Sequence, residues 1–132
     1  MDVNAVLACL LLGVVQVSAE EPHVERLEEL HGNMMTPNYP NNYNNSYEAI
    51  WELNLPVLNQ AYKLVLAIDD MDIEGSPTNC FDYIKVNDQK YCGTSPKTIT
   101  VNGVKNGLII EFHSDSSETR KGFTAHYEVV EQ

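Results

Sequence analysis

The chain of 132 residues is long enough for one domain with a sizeable hydrophobic core and too short for two. Its 19 acidic and 8 basic residues give a formal net charge of −11. This charge argues against nucleic-acid binding, because neutralising phosphates requires clustered lysine and arginine. It favours a basic partner or a divalent cation, unless the acidic residues only form a solvated surface.

The N-terminal segment has the composition of a secretory signal peptide. An uninterrupted apolar run extends from Ala5 to Val15, and small residues stand at the −3 and −1 positions before Glu20. We therefore predict a signal peptide at residues 1–19 and a secreted mature chain. The run is shorter than the roughly 20 apolar residues that cross a bilayer, so an N-terminal anchor or a buried helix is the weaker interpretation. We expect no membrane span.

The first segments of the mature chain show no strand pattern. Residues 20–31 are charged and predict either a flexible lead-in or a helical turn. Residues 32–45 are rich in Pro, Asn and Gly, and Pro37 and Pro40 exclude a helix because proline removes a backbone donor.

From residue 49 onward, short runs alternate apolar and polar residues with the period of two that β-strands require. The clearest predicted strand is Ala61–Ile68, and the others are Ala49–Leu53, Phe81–Val86, Thr98–Val101, Leu108–His113 and Phe123–Val129. Turn-forming dipeptides separate these runs, namely Asn87-Asp88, Asn102-Gly103 and Asn106-Gly107. The pattern predicts an all-β fold, either an antiparallel sandwich or a barrel.

The chain has three cysteines, and loss of the signal peptide would remove Cys9 and leave Cys80 and Cys92. In a small secreted domain, two cysteines predict one disulfide, which stabilises the fold by roughly 3 kcal/mol in the chain-entropy model. Two free buried thiols are the alternative. The sequon Asn44-Asn45-Ser46 permits N-glycosylation of Asn44.

Four motifs in order resemble the signatures of CUB domains. They are the stretch TPNYPNNY at residues 36–43 followed by Trp51, then CFDYIKV at 80–86 with YCG at 91–93, then FHSD at 112–115, then GFTAHY at 122–127. The resemblance covers residues 32–130. It implies an antiparallel two-sheet jellyroll sandwich in which Cys80 pairs with Cys92.

The chain departs from the usual CUB pattern at one position. Most CUB domains have a second, N-terminal disulfide, but Ala49 stands at the place of its later cysteine, and no cysteine lies between Glu20 and Asn79. The first CUB domains of the complement-initiating serine proteases resemble this chain in that respect. The sequence contains no protease or EGF-like segment, so we expect the module without the enzyme.

The resemblance to the calcium-binding subset of CUB domains implies a metal site. Glu74 and Asp82 have the family's spacing of eight, and Asp115 of the Ser-Asp motif is the third carboxylate. Such a group repels itself unless a cation is present, and Ca²⁺ suits oxygen ligands in a flexible site. The alternative is that the three side chains are solvated and never meet.

Neighbouring residues are expected to support this site. Ser117 and Glu118 are candidates to complete the shell, and the resemblance assigns Tyr43 to steady an acidic ligand. The sequence Asp69-Asp70-Met71-Asp72 is interpreted as a solvated loop that adds negative field.

Catalytic motifs are missing from the sequence. It contains no H-E-x-x-H zinc motif and no G-x-S-x-G nucleophile elbow. An acid/base pair of Glu74 and Asp82 for glycoside cleavage is a remote alternative. His113 and His126 point outward on their predicted strands and are interpreted as surface residues.

The expected function is calcium-dependent recognition of an extracellular protein that presents Lys or Arg to an anionic socket. One alternative is a spermadhesin-like protein that binds glycans or a cell surface. Others are an acidic component of an extracellular matrix and a venom component.

Overall fold

A computed structural model describes residues 21–132, so the predicted signal peptide and Cys9 lie outside the described residues. The strands are β1 (His23–Leu27), β2 (His31–Met35), β3 (Glu48–Asn54), β4 (Tyr62–Asp72), β5 (Gly75–Ser76), β6 (Asn79–Cys80), β7 (Tyr83–Val86), β8 (Gln89–Tyr91), β9 (Lys97–Val104), β10 (Gly107–His113) and β11 (Gly122–Glu131).

The strands form two large sheets and one short hairpin. The first sheet has the order β1-β3-β10-β7-β8, the second has the order β2-β11-β4-β9, and β5 pairs with β6. Neighbours in both large sheets are antiparallel except β1 and β3. The antiparallel two-sheet sandwich is thus confirmed, and the barrel is not. Within the same residues, no helix has the length and apolar character needed to cross a membrane.

The core lies between the sheets and is built from the apolar faces of the predicted strands. In β4, every second residue from Tyr62 to Ile68 is buried, as the alternation predicts. Trp51 of β3 is fully buried and meets Phe123 of β11 edge-on, with ring centroids 5.5 Å apart. This aromatic pair joins the two sheets, and removal of such apolar area from water is the main force that holds them together.

Cys80 and Cys92 form a disulfide, which confirms the predicted pairing. Cys80 ends β6, and Cys92 follows β8 directly. The bond therefore holds the β5–β6 hairpin beside the edge of the first sheet.

Residues 23–27 form β1, where the composition indicated a lead-in or a helical turn. His23 lies opposite Ala49 and Leu27 opposite Leu53 in the parallel ladder with β3. Within β1, Leu27 is the one buried residue. The strand is held by backbone hydrogen bonds, so its side chains give no alternating pattern that would predict it.

Asn102-Gly103 lies inside β9 rather than in a turn between strands. The pairing of β4 with β9 shifts register between Tyr62 and Leu64, and Gly103 has a φ of +67°. A glycine in this conformation is typical of a β-bulge, which bends a strand without ending it. The Asn87-Asp88 prediction is confirmed, since both residues have positive φ in the two-residue turn between β7 and β8.

A close approach at Gly122 holds the start of the Pro-rich segment against β11. Gly122 has a φ of +91°, and a Cβ there would lie 2.0 Å from Thr36 Oγ1. The buried Thr36 hydroxyl oxygen accepts a hydrogen bond of 3.1 Å from the Phe123 amide. Position 122 therefore has no room for a side chain.

Two leucines of different burial test this core. Leu66 is 0% exposed and Leu58 is 77% exposed. We expect Leu66→Ala to lower the free energy of unfolding by about 2–5 kcal/mol because it leaves a cavity, and Leu58→Ala to change it by no more than about 0.5 kcal/mol. Urea unfolding of both variants measures the difference. Equal effects would contradict the assignment of the core.

Candidate metal centre

The predicted carboxylates meet at one end of the sandwich. Glu74 follows the end of β4, Asp82 precedes β7 and Asp115 follows β10. One carboxylate oxygen from each of the three lies within 4.8 Å of the others. The alternative that these side chains never meet is therefore wrong.

Asp82 is the centre of this group and is 0% exposed. Its Oδ2 accepts a hydrogen bond of 2.6 Å from the Tyr43 hydroxyl, and its Oδ1 accepts one of 2.7 Å from the Asp115 amide. Its own amide donates to the Glu74 carbonyl at 3.1 Å. Burial raises the pKa of the Asp82 carboxyl, and the first two hydrogen bonds act in the opposite direction.

Tyr43 connects two of the carboxylate-bearing segments. Besides donating to Asp82, its hydroxyl oxygen accepts a hydrogen bond of 3.2 Å from the Glu74 amide. Burial and the bond to Asp82 raise the pKa of Tyr43, so the hydroxyl stays protonated as a donor. These contacts suit the supporting role expected from the sequence.

One oxygen of the Glu74 carboxylate has no hydrogen-bond donor to stabilise its negative charge. This atom, Oε1, is buried and has no hydrogen-bond partner. Burial, a hydrogen bond shared with Glu118 and repulsion from Asp115 and Asp82 raise the pKa of Glu74 to about 6. Without added positive charge, the site therefore favours a protonated Glu74 at mildly acidic pH.

Asp115 is positioned by its neighbour Ser114, whose contribution the sequence did not reveal. The Ser114 hydroxyl is buried, donates to the Asn44 carbonyl at 2.6 Å and accepts from the Tyr47 amide at 2.9 Å. The Ser117 amide donates to Asp115 Oδ1 at 3.1 Å. The loop after β10 is thus attached to the segment before β3.

Glu118 lies beside Glu74 and forms an ion pair with Arg120. Arg120 donates to Glu118 Oε2 at 2.6 and 3.2 Å, and its Nη1 lies 3.6 Å from Asp72 Oδ1. The guanidinium of Arg120 lowers the pKa of Glu118. No spacing rule points to Arg120, so sequence reasoning missed it.

The interpretation of residues 69–72 as a solvated loop is wrong. They form the end of β4, and Asp69, Asp70 and Asp72 each lie against a polar or basic side chain. Asp70 accepts from the Tyr39 hydroxyl at 2.5 Å and lies 2.7 Å from Lys121 Nζ. The first contact attaches the Pro-rich segment to β4, and the second attaches the residue before β11 to the same carboxylate.

Asn44, the first residue of the sequon, directly follows Tyr43 and is exposed. Its carbonyl is bound by Ser114, as described above, so the residue has a fixed position near the acidic group. Glycosylation of Asn44 stays a prediction.

The donor set fits a calcium ion. All three converging candidate ligands are carboxylates, and hard oxygen donors are those that Ca²⁺ prefers, whereas zinc sites usually include histidine nitrogen or cysteine sulfur. The buried, unpartnered Glu74 oxygen is the group whose desolvation a cation would compensate. The same burial argues against glycoside cleavage, because the enclosed Asp82 cannot reach a glycosidic bond.

The structure is a two-sheet antiparallel β-sandwich module whose acidic group is built from loops at one end. The model of the CUB domain family matches residues 23–127, and the chain belongs to this family. CUB domains are non-catalytic modules that typically mediate extracellular protein–protein interactions. The match begins inside the segment for which we expected a lead-in.

Relatives and solved structures agree with this family. Zinc metalloproteinase nas-39 of Caenorhabditis elegans is 36% identical over 103 residues, which cover 76% of this chain and 11% of that protein. Human tolloid-like protein 1 is 32% identical over 116 residues, which cover 80% of this chain and 11% of that protein. The chain therefore spans about a tenth of these relatives, and their whole-protein activities are not carried over.

Among solved structures, the MASP-1 CUB2 domain bound to Ca²⁺ has a TM-score of 0.65 and 26% identity, covering 79% of this chain and 96% of that one. The extracellular region of zebrafish Gpr126/Adgrg6 has a TM-score of 0.67 and 26% identity, covering 84% of this chain and 15% of that one. Both similarities extend over most of the sandwich.

The raised pKa of Glu74 predicts a pH dependence of stability in chelator. Between pH 4.5 and about 6, Glu74 binds more protons in the folded protein than in the unfolded chain, so its contribution to the free energy of unfolding falls as the pH rises through this range. Urea unfolding at several pH values measures the slope. Glu74→Gln should flatten it, and an unchanged slope in this variant would contradict the assignment.

Proposed function

We propose that this chain is a secreted CUB module that binds Ca²⁺ at Glu74, Asp82 and Asp115 and docks a Lys or Arg side chain of an extracellular protein. The convergence of these carboxylates within 4.8 Å carries the proposal. Tyr43, Ser117 and Glu118 are proposed as supporting residues. The predicted signal peptide and the Cys80–Cys92 disulfide support an extracellular location, since such bonds persist in oxidising compartments.

Calcium binding follows from the charge that the fold gathers. A divalent cation bound between the three carboxylates neutralises two of their negative charges and so reduces the repulsion among them. Asp82 is already held by Tyr43 and by the Asp115 amide, so little side-chain freedom remains to be lost on binding. The pre-organised arrangement, rather than the number of acids alone, favours a specific site. The calcium-bound MASP-1 CUB2 structure, which has the same fold, supports this reading.

Docking of a basic side chain follows from the charge that remains. Three carboxylates carry one more negative charge than a divalent cation neutralises. Glu118 adds another acidic group at the edge of the site, although Arg120 partly offsets it. A lysine or arginine from a partner is the complementary group, and the large excess of acidic over basic residues favours the approach of basic proteins.

Calorimetric titration with Ca²⁺ tests the metal site. We expect one ion per chain and a weakening of at least about tenfold in Asp82→Asn, because this near-isosteric change removes one ligand charge. Asp88→Asn, a matched change in the exposed β7–β8 turn, should bind as the wild type does. Equal affinity of the wild type and Asp82→Asn would remove the metal site.

A small ligand tests the docking of a basic side chain. We expect Nα-acetyl-lysine amide to bind in the presence of Ca²⁺ and to cause NMR shifts around Asp115 and Glu118, with affinity that falls as salt screens the charges. The Nε-acetylated analogue keeps the shape and loses the charge, so it should not bind. If both ligands bind equally, attraction between charges is not the basis of recognition.

A further inference from the structure

A second cluster of metal-binding side chains lies on the outer face of the second sheet, on β2, β11 and β4. His31, His126 and Glu128 are exposed, and Glu128 lies opposite His31 and two residues after His126. Asp69 lies next to His126. This cluster contains nitrogen donors, which the acidic group does not. It shares no residue with that site.

The strand register places three of these side chains on one face. In the antiparallel pairing of β2 with β11, His31 lies opposite Glu128 and Asn33 lies opposite His126. Tyr127, which lies between His126 and Glu128, points inward and is buried. His31 therefore has Glu128 directly across the ladder and His126 diagonally across it.

These positions suit a shared ion. Directly opposite Cβ atoms are about 4.5–5.5 Å apart and diagonal neighbours about 7–8 Å, which imidazole and carboxylate side chains can span. A hollow of about 390 Å³ is lined by His31, His126 and Glu128 together with Gly32, Asn33 and Tyr127. In the conformation of residues 21–132, the three donor atoms do not all lie within 4.8 Å of one another. Rotation of the exposed His31 and Glu128 side chains between staggered rotamers would bring their donors toward Nε2 of His126, whose ring stays on Asp69.

Asp69 prepares His126 as a ligand. Asp69 Oδ2 lies 2.8 Å from His126 Nδ1, and an ionised carboxylate can only accept a hydrogen bond. The proton of the neutral imidazole is therefore on Nδ1, which leaves the Nε2 lone pair free. A carboxylate behind a histidine fixes the tautomer and orients the ring in many metal sites.

We propose that His31, His126 and Glu128 bind a zinc ion, with Asp69 as the positioning residue behind His126. Two imidazoles and one carboxylate are a donor set that Zn²⁺ binds well, with water in the fourth position. Ca²⁺ prefers oxygen donors, so the two sites select different ions. This surface is a zinc-responsive site independent of the calcium-dependent end of the molecule.

The test is a calorimetric titration of the protein with Zn²⁺ in saturating Ca²⁺, which keeps the acidic site filled. We expect one equivalent of Zn²⁺ to bind, with affinity lowered at least about tenfold in His31→Ala and in His126→Ala. Asp69→Asn should weaken binding by about tenfold. NMR spectra of the zinc-loaded wild type should show shifts of the imidazole signals of His31 and His126.

His113→Ala is the matched control. His113 is also bound to a carboxylate, that of Glu48, but it stacks on Tyr83 on the other sheet, so its variant should bind Zn²⁺ as the wild type does. The proposal is overturned if the wild type binds no Zn²⁺ in the presence of Ca²⁺. It is also overturned if His126→Ala binds with unchanged affinity, or if binding is lost in Asp82→Asn instead. Circular dichroism of each metal-free variant establishes that it is folded.

Discussion

The acidic end of the molecule depends on the burial of Asp82. A carboxylate removed from water is costly unless it is hydrogen-bonded, and here its two oxygens accept bonds from the Tyr43 hydroxyl and the Asp115 amide. Asp82 and its two partners lie on three separate segments, so the hydrogen bonds that satisfy Asp82 also hold the loops together. Glu74 is attached to the same point through its carbonyl and its amide. The geometry of the candidate site is therefore a result of satisfying one buried charge.

The sequence predicts the elements whose side chains alternate between core and solvent. β4, β10 and β11 were located because each has a buried face that a period-two pattern reveals. β1 was missed because it is held by backbone pairing with β3, and backbone groups leave no trace in side-chain identity. Asn102-Gly103 does not mark a turn, since the same residues that form turns also form a bulge inside a strand.

The candidate site was predictable to a different extent. Glu74, Asp82 and Asp115 were found because the family spacing links them, and their convergence agrees with it. Ser114 is the first residue of the Ser-Asp motif, but its hydrogen bonds to residues 44 and 47 depend on how two distant loops pack, which the motif does not predict. Arg120 was not found, because its contact with Glu118 depends on the path of a loop that contains a residue of positive φ. Local patterns predict strands, whereas contacts between loops require the three-dimensional arrangement.

The segments that meet at Asp82 are far apart along the chain, since Tyr43 precedes it by 39 residues and Asp115 follows it by 33. The three acidic side chains therefore converge only when these distant segments pack together at one end of the sandwich. A peptide excised around residues 74–82 would keep two of the acids and lose the enclosure that makes them unusual. Calcium affinity at the proposed site would then depend on the packing of these distant loops rather than on the acidic residues alone.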